Sequence, residues 1–131
     1  MALDLNTDLV RQLRYQSVAF PGKEITEATV GRNDAAELLF VPLAASLHSD
    51  DRVWAQGVCA RLAGHADSNV RGNALLGFAH LARRFRELDR QIVEPIMRGA
   101  LSDRDPYVSA QARTALDDVE QYLGWSSSPE V

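Results

Sequence analysis

The chain has 131 residues, of which 46% are hydrophobic and 24% charged, and this composition is typical of one globular domain and argues against a disordered chain. Its formal charge at pH 7 is −4, from 14 basic and 18 acidic residues, whereas a nucleic-acid-binding protein usually carries a basic excess. Cys59 is the only cysteine, so an internal disulfide is excluded.

The beginning of the chain shows no targeting signal. The sequence MALDLN lacks the basic start and the apolar run of a secretory signal peptide. No segment has the ~20 consecutive apolar residues that a membrane-spanning helix requires. We therefore expect a cytoplasmic protein.

Residues 1–33 have the weakest pattern. Residues 7–15 are predicted to form a helix, and Phe20-Pro21-Gly22 is predicted to end it. Residues 22–33 are predicted to be irregular. We divide the chain into an N-terminal helix and irregular lead-in at residues 1–33, a helical repeat domain at residues 34–125 and a disordered tail at residues 126–131.

From residue 34 onward, apolar residues recur at helical spacing. Five helices are predicted, at residues 34–47, 51–63, 68–85, 89–101 and 106–123. In the third helix one face carries Val70, Ala74, Phe78, Leu81 and Phe85. In the fourth helix the residues predicted to point inward are Ile92, Val93, Ile96, Met97 and Ala100. In the fifth helix they are Val108, Ala112, Leu116, Val119 and Leu123. The turns are short, which makes consecutive helices antiparallel neighbours.

The sequence repeats internally. Residues 42–53 (PLAASLHSDDRV) and 95–108 (PIMRGALSDRDPYV) both read as Pro, a short apolar helix ending in Leu, an acidic turn, and a Val that opens the next helix. Small residues follow that Val at plus four and plus seven in three places, namely Val53/Gly57/Ala60, Val70/Ala74/Gly77 and Val108/Ala112/Ala115. Small residues at this spacing allow helix backbones to approach closely, as stacked helical hairpins require.

Residues 101–116 (LSDRDPYVSAQARTAL) carry a pattern that resembles a HEAT repeat, with Ser109 where the repeat usually has Arg. Residues 67–74 (DSNVRGNA) are similar and keep the Arg, and the Val53 unit is a weaker match. The resemblance implies an all-α protein, a short right-handed α-solenoid of antiparallel HEAT-like helix pairs with about five to six helices. The step of 38 residues from Val70 to Val108 fits one unit, while the 17 residues from Val53 to Val70 indicate an irregular stack.

The sequence offers little for catalysis. His48 and His65 lie in predicted turns and His80 lies inside a helix. Neither His65 nor His80 has a metal-ligating residue three or four positions away, and Asp51, three positions after His48, follows it across a predicted turn rather than on the same helix. We interpret them as ordinary surface or turn histidines, and Cys59 as a small core residue rather than a nucleophile. We therefore predict no enzyme activity, no metal and no cofactor.

Aromatic residues beside carboxylates are the best candidates for a protein-binding surface. The candidate partner-binding residues are Trp54, Asp67, Asp103, Asp105, Tyr107, Asp117, Asp118, Glu120, Tyr122 and Trp125. Two other interpretations stay open, because Trp54 and Tyr122 would serve equally well in the core, and a solvated acidic face also explains the three carboxylates of residues 117–120. The basic cluster Arg83-Arg84-Phe85-Arg86 near a helix end fits a favourable interaction with the helix dipole.

The first functional hypothesis is a protein-binding module. Small bacterial HEAT-like proteins include immunity proteins, so the resemblance implies an inhibitor that binds a basic toxin domain, such as a nuclease, in a one-to-one complex. The acidic net charge would favour such a partner. The alternatives are a nucleic-acid-binding HEAT-like protein, which only the cluster at residues 83–86 favours, and an accessory or scaffold protein of a metabolic enzyme.

Overall fold

Residues 18–126 are described by a computed structural model and contain helices and no strand. The helices are α1 Lys23–Arg32, α2 Ala35–Leu38, α3 Val41–His48, α4 Arg52–Leu62, α5 Ser68–Phe85, α6 Arg90–Ala100 and α7 Pro106–Leu123. The prediction of an all-α protein is confirmed, and the predicted helices at residues 51–63, 68–85, 89–101 and 106–123 match α4 to α7 within one residue at each end. The helix predicted at residues 7–15, and the predicted tail after Ser126, lie outside the described residues.

Aspartates set most of the helix starts. The side chains of Asp34, Asp51, Asp67 and Asp105 each accept a hydrogen bond from a backbone N–H in the first turn of α2, α4, α5 and α7. Such a cap satisfies one of the donors that a helix start leaves without an intrahelical partner. At the other end of α7, Gly124 takes a left-handed conformation with φ 72°, where glycine has no steric penalty.

Helix α5 lies at the centre of the packing. It contacts both helices of the α3–α4 hairpin on one side and α7 on the other, while α6 packs on α7. The core between them consists of fully buried side chains such as Leu43, Val58, Phe78, Met97 and Val108. Helix α5 thus contacts α3, α4 and α7, and α6 contacts α7.

The close approach of α5 to α3 and α4 depends on Gly77. A Cβ atom at this position would lie 2.5 Å from Sγ of Cys59 and 3.3 Å from the carbonyl oxygen of Pro42. The sequence prediction of small residues at helix contacts is thus confirmed for the unit that starts at Val70. It is also confirmed for the unit that starts at Val108, where Ala112 and Ala115 are fully buried.

Three sequence predictions about the helices are wrong. The helix predicted at residues 34–47 is interrupted at Leu39 and Phe40, because Pro42 lacks an N–H and its ring would clash with the carbonyl of Leu38 in a continuous helix. Residues 22–33, predicted to be irregular, form α1. This helix buries few apolar residues, so apolar periodicity could not reveal it.

The third error concerns the faces of α4 and α6. The small-residue spacing Val53/Gly57/Ala60 does not mark a close helix contact, because Val53 is 59% exposed and a Cβ atom at Gly57 would meet nothing within 4 Å. Ile92, predicted to point inward, is 52% exposed in α6, where Val93 and Met97 are buried. In α6 a residue next to the inward stripe was assigned to it, because an apolar side chain at the edge of a stripe fits the helical period as well as one at its centre.

Candidate protein-binding surface

The predicted partner-binding aspartates at the helix starts have structural roles. The carboxylate of Asp67 accepts hydrogen bonds from the backbone N–H groups of Asn69 at 2.9 Å and Val70 at 3.1 Å. The carboxylate of Asp105 accepts one from the N–H of Tyr107 at 2.8 Å. Each cap contributes about 1 kcal/mol to stability. These two carboxylates stabilise α5 and α7.

Asp103 connects two interhelical turns. Its two carboxylate oxygens accept hydrogen bonds from Nε and Nη2 of Arg71, each at 3.0 Å. The same guanidinium donates to the carbonyl oxygens of His65 at 3.0 Å and Ala66 at 2.9 Å. This pairing, followed by the backbone N–H of Asp105, holds the pKa of Asp103 below its ordinary value. Asp103 therefore fixes the turn before α7 against the turn before α5.

Tyr107 also braces the core. Its hydroxyl donates a hydrogen bond to Oδ1 of Asn73, whose Nδ2 donates to the carbonyl oxygen of Leu39 at 2.7 Å. The Tyr107 ring lies directly over Gly72, where a Cβ atom would overlap it. Asn73 is 4% exposed, so this amide bridges α7 to the interruption between α2 and α3 inside the protein.

The other predicted aromatic residues are partly buried and have partners within the chain. The indole Nε1 of Trp54 donates to a carboxylate oxygen of Glu27 at 2.7 Å, and the Trp54 ring centroid lies 5.8 Å from that of Phe20. The guanidinium of Arg86 stacks at 4.8 Å from the ring of Tyr122. Arg90 lies at 5.0 Å from the ring of Trp125. Arg86 therefore contacts the end of α7 from the segment that joins α5 to α6, and Arg90 contacts the residue after that end from the start of α6.

The three carboxylates near the end of α7 differ in their environment. Asp118 lies 3.5 Å from Nε of Arg83, its side chain is 19% exposed, and burial raises its pKa. Asp117 and Glu120 are exposed, and neither carboxylate has a hydrogen bond or ion pair with another residue of the described part of the chain. Asp117 and Glu120 are therefore the predicted acidic residues that are available to a partner.

Asp117, Glu120 and Trp125 meet in a cleft between α6 and α7, which we call the α6–α7 cleft. Its walls also include Glu94 and Arg98 of α6 and Arg113 of α7, and apolar carbons of Leu116 and Val119 form part of its lining. Three of the ten predicted binding residues thus lie together in the cleft. Four others form hydrogen bonds that stabilise the fold, namely Asp67, Asp103, Asp105 and Tyr107.

Sequence reasoning missed the α6 side of the cleft. Glu94 accepts hydrogen bonds from Arg90 at 2.8 Å and from Arg98 at 3.1 Å. The pairing with Arg90 is the main cause of the lowered pKa of Glu94, and Arg98 adds to it. The spacing Arg90, Glu94, Arg98 was a usable signal, because residues four apart share one helix face. These ion pairs place a row of alternating positive and negative side chains along α6 on one side of the cleft.

The histidines and the cysteine have no catalytic arrangement. Cys59 is fully buried, and burial raises the pKa of its thiol to about 12. His80 accepts a hydrogen bond at Nδ1 from Arg83 at 2.8 Å, so its Nε2 carries the proton and has no partner among the described residues. Burial, and then the nearby Arg83 and Arg84, lower the pKa of His80 to about 4.

In residues 18–126, no three side chains of His, Cys, Asp or Glu are arranged to hold a metal ion. Within the same residues, no helix has the length and apolar character needed to cross a bilayer. No protein-family model, curated protein or solved structure matches the chain.

Proposed function

We propose that the protein is a protein-binding module, and that it acts as an immunity protein that neutralises a bacterial toxin. Its partner is a basic toxin domain, such as a nuclease, bound in a one-to-one complex. In this proposal the helix pairs form a short right-handed α-solenoid of HEAT-like repeats. The 38-residue step from Val70 to Val108 and the packing of α5 on α7 support that arrangement.

The observation that carries the proposal is the α6–α7 cleft. It combines two exposed carboxylates, those of Asp117 and Glu120, which have no ion pair or side-chain hydrogen bond with the described residues, with the partly buried ring of Trp125 and apolar carbons of Leu116 and Val119. A basic side chain from a partner would gain the attraction of both carboxylates, opposed in part by Arg98 and Arg113 of the same cleft, and contact with these apolar carbons. Because Trp125 already stacks on Arg90, its side chain would lose less conformational entropy when a partner binds.

The nucleic-acid alternative loses its main support. All three arginines of residues 83–86 have partners inside the protein: Arg83 bonds His80 and pairs with Asp118, Arg84 donates to the carbonyl oxygens of Ser46 and Ser49, and Arg86 stacks on Tyr122. A guanidinium held in this way would have to exchange existing contacts for phosphate contacts.

The proposal is tested by co-purification of the protein with a toxin domain encoded beside it. We expect a one-to-one complex that weakens as ionic strength rises, because surface charges are screened. Asp117→Lys should weaken binding by roughly tenfold or more, a change of about 1.4 kcal/mol. Glu24→Lys is the matched control, since it makes the same charge change at an exposed carboxylate on α1, and it should leave the affinity within about twofold.

If the complex formed equally well with Asp117→Lys, the α6–α7 cleft would not be part of the binding surface. Absence of any complex with the neighbouring toxin domain would refute the immunity function.

A further inference from the structure

Helix α1 is attached to the rest of the protein in a different way from the other long helices. Of its ten residues, Thr26 is the one that is buried, while Ile25 is 56% exposed. By contrast, α5 buries ten of its eighteen residues. Val30 is half-buried at the edge of the core. Little apolar surface therefore holds α1 in place.

Polar contacts to α4 supply the attachment instead. The carboxylate of Glu27 accepts hydrogen bonds from Arg61 at 3.0 and 2.8 Å and from the indole Nε1 of Trp54 at 2.7 Å. Lys23 pairs with Asp51, the residue that caps the start of α4. Both side chains of each ion pair are about half exposed, so salt in solution screens the attraction.

Glu27 is the centre of these contacts. The hydrogen bonds from Arg61 and then Trp54 hold the pKa of its carboxyl below the ordinary value, so the carboxylate stays ionised near neutral pH. A single side chain thus connects α1 to two residues of α4. Beneath α1, the ring of Trp54 also contacts Phe20 and lies 5.7 Å from Nζ of Lys23.

We propose that α1 is a detachable cover of α4, which opens while the core of α3 to α7 stays folded, and thereby exposes the partly buried Trp54 and leaves the guanidinium of Arg61 without its carboxylate partner. A helix of ten residues is not stable alone in water, so α1 unfolds when it leaves α4. The opening is controlled by ionic strength, because ion pairs rather than apolar burial hold the cover closed. This inference is independent of the proposed function.

Amide hydrogen exchange of the full chain, read by mass spectrometry, tests the proposal. The amides of α1 should exchange faster than those of α5, because the cover opens without global unfolding. Glu27→Gln should accelerate exchange in α1 by roughly three- to tenfold and leave α5 unchanged. Raising the salt concentration to about 0.5 M should accelerate exchange in α1 of the wild type, and less so in Glu27→Gln.

Glu24→Gln is the matched control, because Glu24 is an exposed carboxylate on the same helix that makes no hydrogen bond or ion pair to α4 among the described residues. It should change exchange in α1 by less than about twofold. Equal acceleration by Glu24→Gln and Glu27→Gln would overturn the proposal. So would a loss of protection in α5 by the same factor as in α1, since the opening would then be global.

Discussion

Replacement of Gly77 by alanine should destabilise the protein, although alanine favours a helix. The new Cβ atom would lie 2.5 Å from Sγ of Cys59, well inside the ~3.5–4.0 Å at which nonbonded carbon atoms attract each other. It would also lie 3.3 Å from the carbonyl oxygen of Pro42 and 3.4 Å from Oγ of Ser46. Cys59 is fully buried, and close packing of a protein interior resists movement of its sulfur.

The net effect of Gly77→Ala on the free energy of unfolding is the difference between two opposing contributions. Overpacking of a close helix contact costs about 1–3 kcal/mol, and the higher helix propensity of alanine returns about 0.5–1 kcal/mol. We therefore expect Gly77→Ala to lower the free energy of unfolding by about 1–2 kcal/mol, which for a domain of this size lowers Tm by roughly 3–10 °C. Urea denaturation followed by circular dichroism measures this difference.

Two further variants separate the clash with Cys59 from the effect of alanine on helix propensity. Gly57 lies in the interior of α4 and a Cβ there would contact nothing within 4 Å, so Gly57→Ala should stabilise the protein by about 0.5–1 kcal/mol. In the Cys59→Ala background, Gly77→Ala should cost at least about 1 kcal/mol less than in the wild type, because the sulfur is gone. A stabilising effect of Gly77→Ala, or an equal cost in both backgrounds, would refute the close packing of α5 on α3 and α4.

Three other substitutions test individual contacts by the same denaturation assay. Asp67→Ala should destabilise the protein by about 1 kcal/mol through loss of the α5 cap, and an unchanged midpoint would contradict that role. Tyr107→Phe should cost about 1–2 kcal/mol, because Oδ1 of the buried Asn73 amide loses its donor, and a neutral result would contradict the bridge. The pKa of His80 is lowered from 6.5 to about 4, so between these pH values the unfolded chain binds a proton that the folded protein does not. The free energy of unfolding should therefore fall by up to ~3 kcal/mol as the pH is lowered from 6.5 to 4. His80→Gln should remove that part of the pH dependence, which is measured as the difference from the wild type at each pH.

The positions of the long helices could be predicted because two independent signals agree. In α5 and α7, an aspartate cap precedes a regular apolar face, and the Val, small, small spacing marks the contact between helices. Helix α1 lacks the apolar signal, since its contacts to α4 come from Lys23 and Glu27. Polar contacts between residues far apart in sequence leave no periodic pattern, so a single sequence does not reveal them.

The candidate site was predictable only in part for a related reason. An acidic residue that caps a helix and one that faces a partner look the same in a sequence. Asp67 and Asp105 are caps, while the carboxylate of Asp117 has no hydrogen bond or ion pair within the described residues. The position of an Asp directly before a helical run was a usable signal, because Asp is a preferred cap residue there. Glu94 belongs to the cleft because α6 packs on α7, which a single helix pattern does not reveal.

Titration calorimetry of the protein with the neighbouring toxin domain tests binding through the α6–α7 cleft most directly. Our account predicts a one-to-one complex whose dissociation constant rises about tenfold or more with Asp117→Lys and stays within about twofold with Glu24→Lys. Equal effects of the two variants, or no heat of binding with the wild-type protein, would contradict it.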